Sequence, residues 1–385
     1  MPAHDAGAVA APFPCYNTAV GSYAISALDG ALGDPVLFCS LGSGIGLAES
    51  ASPGRSHADA WRGPPPRAGT WRRPDPGPRG GPGLTRQETR HDVKPAPFAY
   101  HRPDTLDEAV ALLAAYGPDA KVLAGGQSLM PLMNFRLARP AHVVDINRVA
   151  ALQFERVDAG ALRLGALTRH RRLTEPGFRG TCQLLSLVSP FIGHPQIRTR
   201  GTLGGSAAHA DSAAELPGAL LALDAEIVAA SSRGPRKIAS GDFFIHYMTT
   251  ALADDEILTE VRIPRHPGSE GCGFAEVAAR QGDFALVGSM VRLLRADGPS
   301  RADARVVLIG CGPTPLRIRK AEQILIEAGV TAGSVNDAAA AVQESISPSP
   351  RSAASKEYLV RLAGTLTRRS ILEAEASLHG HDSDQ

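Results

Sequence analysis

From residue 94 onward the hydrophobic positions fall into two recognisable periods; before it they show neither. Leu106, Ala109, Val110 and Leu113 recur at helical spacing. Thr105-Leu106-Asp107-Glu108 reads as a capping box ahead of them, and Gly117-Pro118 reads as the stop. Residues 121–124 predict a short strand that runs into a glycine pair, with Ser128 as the cap of a short helix behind it. Residues 142–146 predict a second strand. Residues 161–166 predict a third, in which Leu162 and Leu164 alternate with Arg163. Helices are expected over 183–191 and 213–223, and a strand over 226–230. Ile257, Thr259, Val261 and Ile263 alternate with Glu260 and Arg262, the pattern of a half-buried strand. A Pro/Gly-rich break at 264–271 predicts a boundary. Beyond it come strands at 285–294 and 305–310, then two or three helices across 320–378. Strands followed by helices predict a separate α+β domain.

The first ninety residues differ in kind. Residues 51–90 are rich in Pro, Gly and Arg, bury little apolar surface and are expected to be disordered. Residues 1–50 lack the charged start and cleavage site of a secretory signal. Residues 1–92 read as a disordered tail or as an upstream extension outside the native chain. The full chain has 385 residues and a formal net charge of +1, so it lacks the basic excess of a nucleic-acid binder. Its five cysteines contain no Cys-x-x-Cys and offer no ligand set for an iron–sulfur cluster or a structural zinc. No apolar run reaches the ~20 residues of a membrane span. A cytoplasmic protein is expected.

The candidate chemistry sits in two glycine pairs. One is Ala124-Gly125-Gly126-Gln127-Ser128-Leu129; the other is Thr202-Leu203-Gly204-Gly205-Ser206. A glycine pair lets backbone N–H groups approach a ligand without a Cβ in the way. Consecutive N–H groups form a nest that suits a diphosphate. Two such nests point to one dinucleotide held at two places. No P-loop motif is present, and Gly42, Gly44 and Gly46 lack the Rossmann spacing. His209 and Asp211 form a His-x-Asp, but two candidates without further partners make a poor metal site.

Three segments, residues 124–140, 192–217 and 273–288, resemble in order and spacing the FAD-binding medium subunit of molybdenum hydroxylases, of the carbon monoxide dehydrogenase medium-chain and xanthine dehydrogenase FAD-subunit kind. The resemblance runs from about residue 94 to about residue 376. It implies an α+β fold: a two-part FAD-binding domain of the PCMH/vanillyl-alcohol-oxidase type over 93–267, with subparts 93–148 and 149–267. A C-terminal flavoprotein domain with a small antiparallel sheet and helices would follow over 272–378, and a tail over 379–385. It also implies FAD as cofactor. The diphosphate would lie on Ala124, Gly125, Gly126, Gln127, Ser128 and Leu129. Thr202, Gly204, Gly205 and Ser206 would pass along the flavin and ribityl part, Glu215 would accept from ribityl hydroxyls, and Asp283 would come from a third segment, with Arg280, Gly282 and Phe284, that touches the flavin edge. His194 would lie near the isoalloxazine. Some relatives carry a Lys a few residues before Arg280; here Ala275 and Glu276 stand there.

The function implied is electron transfer. Electrons from a molybdenum centre in a large subunit would pass through [2Fe-2S] clusters of a small subunit to FAD and on to an external acceptor, in a dimer of heterotrimers. No side chain is expected to act as a catalytic base. Two alternatives stay open from the sequence: a stand-alone FAD oxidoreductase, and a flavin-free assembly or scaffold subunit.

Overall fold

A computed structural model describes residues 94–158, 160–266, 268–295, 301–348 and 354–382, so the expectations for residues 1–92 lie outside the described residues. The chain enters a small parallel sheet. Its elements are β1 (Ala99–His101), α1 (Leu106–Tyr116), β2 (Ala120–Leu123), α2 (Leu129–Asn134) and β3 (His142–Asp145), with strand order β1-β3-β2. Thr105 Oγ1 accepts from the Glu108 amide at 3.2 Å. The Glu108 carboxylate reaches back to the Asp104 amide at 2.9 Å rather than to that of Thr105, so the expected box is displaced by one residue. Ala109, Val110 and Leu113 press the helix onto Val144, Ile146 and Leu152.

The second sheet belongs to a longer run: β4 (Glu155–Val157), β5 (Ala161–Gly165), α3 (His170–Leu173), α4 (Gln183–Val188), α5 (Pro195–Arg200), α6 (Leu203–His209), α7 (Glu215–Ala222), β6 (Glu226–Ser231), β7 (Gly234–Ala239), α8 (Ser240–Phe243), β8 (Phe244–His246), β9 (Thr249–Thr250) and β10 (Ile257–Pro264). Five strands pair in the order β4-β5-β10-β6-β7, antiparallel throughout. The central strand β10 carries a buried carboxylate, Glu260. It is satisfied by Arg163 and Arg262, each at 2.6 Å, which compensates its desolvation.

The third sheet comprises β11 (Ser269–Ala278), β12 (Ala285–Arg295), β13 (Arg301–Ile309) and β14 (Leu316–Arg317), antiparallel in that order, followed by α9 (Arg319–Ala328), α10 (Ala332–Ser345) and α11 (Lys356–Asp382). Both faces are covered. Cys272, Phe274, Met290, Val307 and Ile309 join the core that holds α4 and α7. Val287, Val291, Leu293, Val306 and Leu308 join the core under α9–α11. This explains why every residue of α7 is buried.

Strand β11 begins at Ser269, inside the segment expected to be a break. Gly271 and Gly273 face α11 so closely that an added Cβ would lie 2.2 Å from the Ala374 carbonyl and 2.0 Å from that of Ser370. Helix backbone, not side chains, covers that face, so the apolar alternation of a strand is missing from the sequence. Helix α11 runs on to Asp382, past the expected end at residue 378.

Candidate functional site

A cavity of about 550 Å³ lies where the first two sheets and the β11–β12 turn meet. It falls within the ~300–1,000 Å³ typical of small-molecule sites. All twelve residues expected at the site line it: Ala124, Gly125, Gly126, Gln127, Ser128, Leu129, Thr202, Gly204, Gly205, Ser206, Glu215 and Asp283. Gly282 and Phe284 of the third segment join them; Arg280 stays outside the lining and instead accepts the Asp283 amide on its carbonyl at 3.1 Å. Apolar walls come from Leu132, Ile192, Ile197, Leu252 and Leu258.

The first glycine loop follows the end of β2. The amides of Gly125, Gly126, Gln127, Ser128 and Leu129 donate to no acceptor among the described residues, whereas the next amide, of Met130, already bonds the Gly126 carbonyl at 3.1 Å. Backbone donors so exposed to a cavity need a partner. A run of adjacent N–H groups suits anionic oxygens, so the loop fits a diphosphate. Gln127 folds its side chain back onto the Gly125 carbonyl at 3.1 Å. Ser128 makes no side-chain cap to α2, contrary to expectation, which leaves its hydroxyl on the cavity wall.

The second glycine pair is not a nest. It forms the first turn of α6, and its amides are spent inside the protein. Leu203 N–H donates to Thr168 O at 2.8 Å and Gly204 N–H to Ala166 O at 2.9 Å; Gly205 N–H donates to Thr202 Oγ1 and Ser206 N–H to Thr202 O, both at 3.0 Å. A Cβ on Gly204 would meet Ala166 Cβ at 2.7 Å. The close approach these glycines permit is therefore helix to strand. What this loop offers a ligand is the hydroxyl of Ser206 and the proton of Thr202 Oγ1.

The two loops are joined to each other. A Cβ on Gly125 would sit 2.3 Å from the Arg200 carbonyl, so the loops touch through backbone. Asn147 Nδ2 holds the Ala124 carbonyl at 2.7 Å. Asn147 Oδ1 accepts from Arg169 at 2.7 Å, and Arg169 also donates to the Arg200 carbonyl. Asp145 braces Asn147 at 2.6 Å and accepts from Tyr100 at 2.5 Å. Asn147 and Arg169, which link the two loops, are positions that sequence reasoning missed. Parallel pairing brings the carboxyl ends of β2 and β3 to one edge, which places Asn147 beside Ala124.

Several ionisable groups lie in or beside the cavity. Burial drives His170 down to about 4, with Arg169 and Arg198 adding to the fall, so the ring is neutral. Burial also lowers His209, with Asp211 opposing. Burial raises Glu215 to about 7, and the charge of Asp211 adds to the rise. Behind it Glu276 is raised to about 8, by burial first and then by Glu215. Among the described residues no group of three or more His, Cys, Asp or Glu is arranged for a metal. Cys182, Cys272 and Cys311 are buried. No helix among them is long and apolar enough to cross a membrane.

Residues 96–266 match the model of the FAD binding domain in molybdopterin dehydrogenase, and residues 273–374 match the CO dehydrogenase flavoprotein C-terminal domain. The subunit alpha of the 6-hydroxypseudooxynicotine dehydrogenase complex of Paenarthrobacter nicotinovorans is 39% identical over 283 residues, 73% of this chain and 96% of that protein. The chain belongs to the FAD-binding medium-subunit family of the molybdenum hydroxylases. The carbon monoxide dehydrogenase medium chain of Hydrogenophaga pseudoflava is 32% identical over 73% of this chain and 98% of its own length. Among solved structures, carbon monoxide dehydrogenase from Hydrogenophaga pseudoflava matches with a TM-score of 0.71 at 33% identity, covering 74% of this chain and 99% of that one. Quinoline 2-oxidoreductase from Pseudomonas putida 86 matches with a TM-score of 0.69 at 34% identity, covering 74% and 99%. As a member of this medium-subunit family, the chain is a FAD-binding electron-transfer subunit of an oxidoreductase complex. The medium-subunit fold accounts for the cavity: it is the family's FAD-binding domain closed on one side by a turn of its C-terminal domain.

Proposed function

We propose that this chain holds FAD in the cavity between its loops and serves a complex containing a large molybdenum-cofactor subunit and a small [2Fe-2S] subunit, assembled as a dimer of heterotrimers in the cytoplasm. Residues 93–267 act as the flavin domain and 272–378 as the domain that completes the site. One observation carries the reading of the site: five consecutive amides, Gly125 to Leu129, line the cavity without a protein acceptor.

When bound, FAD supplies the redox chemistry. The protein's own work is to hold and orient it. The Gly125–Leu129 amides bind the diphosphate as neutral donors, so no Lys is needed. The Thr202 and Ser206 hydroxyls and the Glu215 carboxyl meet the polyol, an arrangement that uses hydroxyl donors and a carboxyl acceptor. Asp283 and Phe284 close the edge from the β11–β12 turn, and the apolar walls exclude water. Electrons arrive from the iron–sulfur subunit and leave to an external acceptor.

The test is to tag this chain, purify it from its native source and identify what comes with it. Co-purification of two further chains, with molybdenum and iron in fixed ratio to flavin, is expected. A chain that purifies alone and turns over substrate by itself would overturn the complex in favour of a stand-alone flavin oxidoreductase.

A further inference from the structure

The first glycine loop, the hydroxyls of the second and the turn at Asp283 account for the cavity wall. They leave a buried carboxyl oxygen unexplained. Glu276 on β11 has a carboxylate oxygen, Oε2, that is fully buried and meets no hydrogen-bond partner within the described residues. A buried carboxyl without a partner is costly if ionised.

Its surroundings connect it to the cavity. Glu276 pairs in register with Gly288 on β12. A Cβ on Gly288 would lie 2.7 Å from Ile309 and 3.4 Å from Glu276 Cβ. Across that same Ile309 sits α7: a Cβ on Gly218 would lie 2.5 Å from it. Glu215 is one turn before Gly218 and so shares that face. Glu215, only 4% exposed, lines the cavity. Glu215 and Glu276 are thus neighbours by way of Ile309, only Glu215 belongs to the cavity lining, and the charge of Glu215 acts on Glu276. Two carboxyls that interact in a buried site do not both ionise readily, and they titrate as a pair.

We propose that Glu215 and Glu276 form a carboxyl dyad that takes up a proton from solvent when the flavin in the adjoining cavity is reduced. The inference rests on the FAD reading above. Two electrons enter the flavin from the donor, which is dithionite in the test. The flavin takes its own protons as it would elsewhere. In addition one proton leaves solvent and forms an O–H bond on a dyad carboxylate. The site then gains one negative charge fewer than it otherwise would. The remaining ionisable groups on the cavity wall are Lys121, His170, His209, Glu256 and Asp283, with Asp211 facing Glu215 and His209. His170 is held neutral by burial, and Glu256 is held ionised by Arg236 at 2.7 Å. The dyad is thus the cavity's acid with burial and like charge both favouring a bound proton.

The experiment measures the flavin midpoint potential against pH in the purified complex, for the native protein and for Glu276→Gln. In the native protein the potential is expected to fall more steeply, by one extra proton per two electrons, in the alkaline range where Glu276 is ionised in the oxidised protein. In Glu276→Gln that steeper alkaline segment is lost while flavin content is kept. Redox-triggered infrared difference spectra of the native complex give a second readout, which stands even where the variant does not fold. A protonated-carboxyl band should grow on reduction and shift in heavy water. Equal slopes in both proteins, or no carboxyl band in the native one, would overturn the dyad alone. A complex that contains no flavin would overturn the FAD reading and the dyad with it.

Discussion

At the scale of single residues, the site depends on what is missing at Gly125. A methyl group there meets the Arg200 carbonyl at 2.3 Å, and backbone cannot rotate aside as a side chain would. Gly125→Ala is therefore expected to cost ~1–3 kcal/mol and to reduce FAD occupancy severalfold, read by melting temperature and released flavin. Glu276 makes a second prediction, about pH. Its carboxyl titrates at about 8 in the folded protein against 4.5 ordinarily, so the folded state holds the proton more tightly. The stability it lends is complete below about 4.5 and is lost as pH rises through about 8. Flavin-free Glu276→Gln, which keeps the shape and cannot ionise, should melt higher than the native apoprotein at pH above 8 and at nearly the same temperature near pH 5. A variant that melts lower at alkaline pH would show Glu276 to be a needed anion.

At the scale of elements, the sequence disclosed most where side chains do the packing. The helix over Leu106–Tyr116 was legible because Leu106, Ala109, Val110 and Leu113 form its inner stripe. The strand over Ile257–Pro264 was legible from alternation. Where backbone does the packing, the sequence was silent. Gly271 and Gly273 erase the alternation of β11 because α11 lies directly upon them. The second glycine pair looked like the first for the same reason. A glycine that admits a ligand and one that admits a neighbouring strand read alike, and only the acceptor of each amide separates them. Thr202 follows from that distinction. Its Oγ1 caps α6 by accepting from Gly205. Thr202→Ala should cost ~1 kcal/mol through the lost cap and weaken flavin binding, whereas Thr202→Ser should restore most of both. Equal flavin affinity in all three would remove Thr202 from the site.

At the scale of the whole molecule, the cavity is assembled from three separate stretches, and residues outside its lining tie two of them together. Asn147 and Arg169 tie the Ala124 carbonyl to the Arg200 carbonyl, so they hold two loops in one geometry. No local pattern marks them, because their role exists only once two parallel strands end at one edge. Arg169→Met keeps the apolar stem and removes both donors. It is expected to raise the FAD dissociation constant about tenfold, corresponding to ~1.4 kcal/mol, with little change in helix content by circular dichroism. On the proposed reading, the Gly125–Leu129 amides and the cavity they line hold one FAD per chain. Its most direct test is the amount and identity of flavin released from the chain purified together with its partner subunits. One FAD per chain is the result predicted; a fully assembled complex without flavin would contradict it.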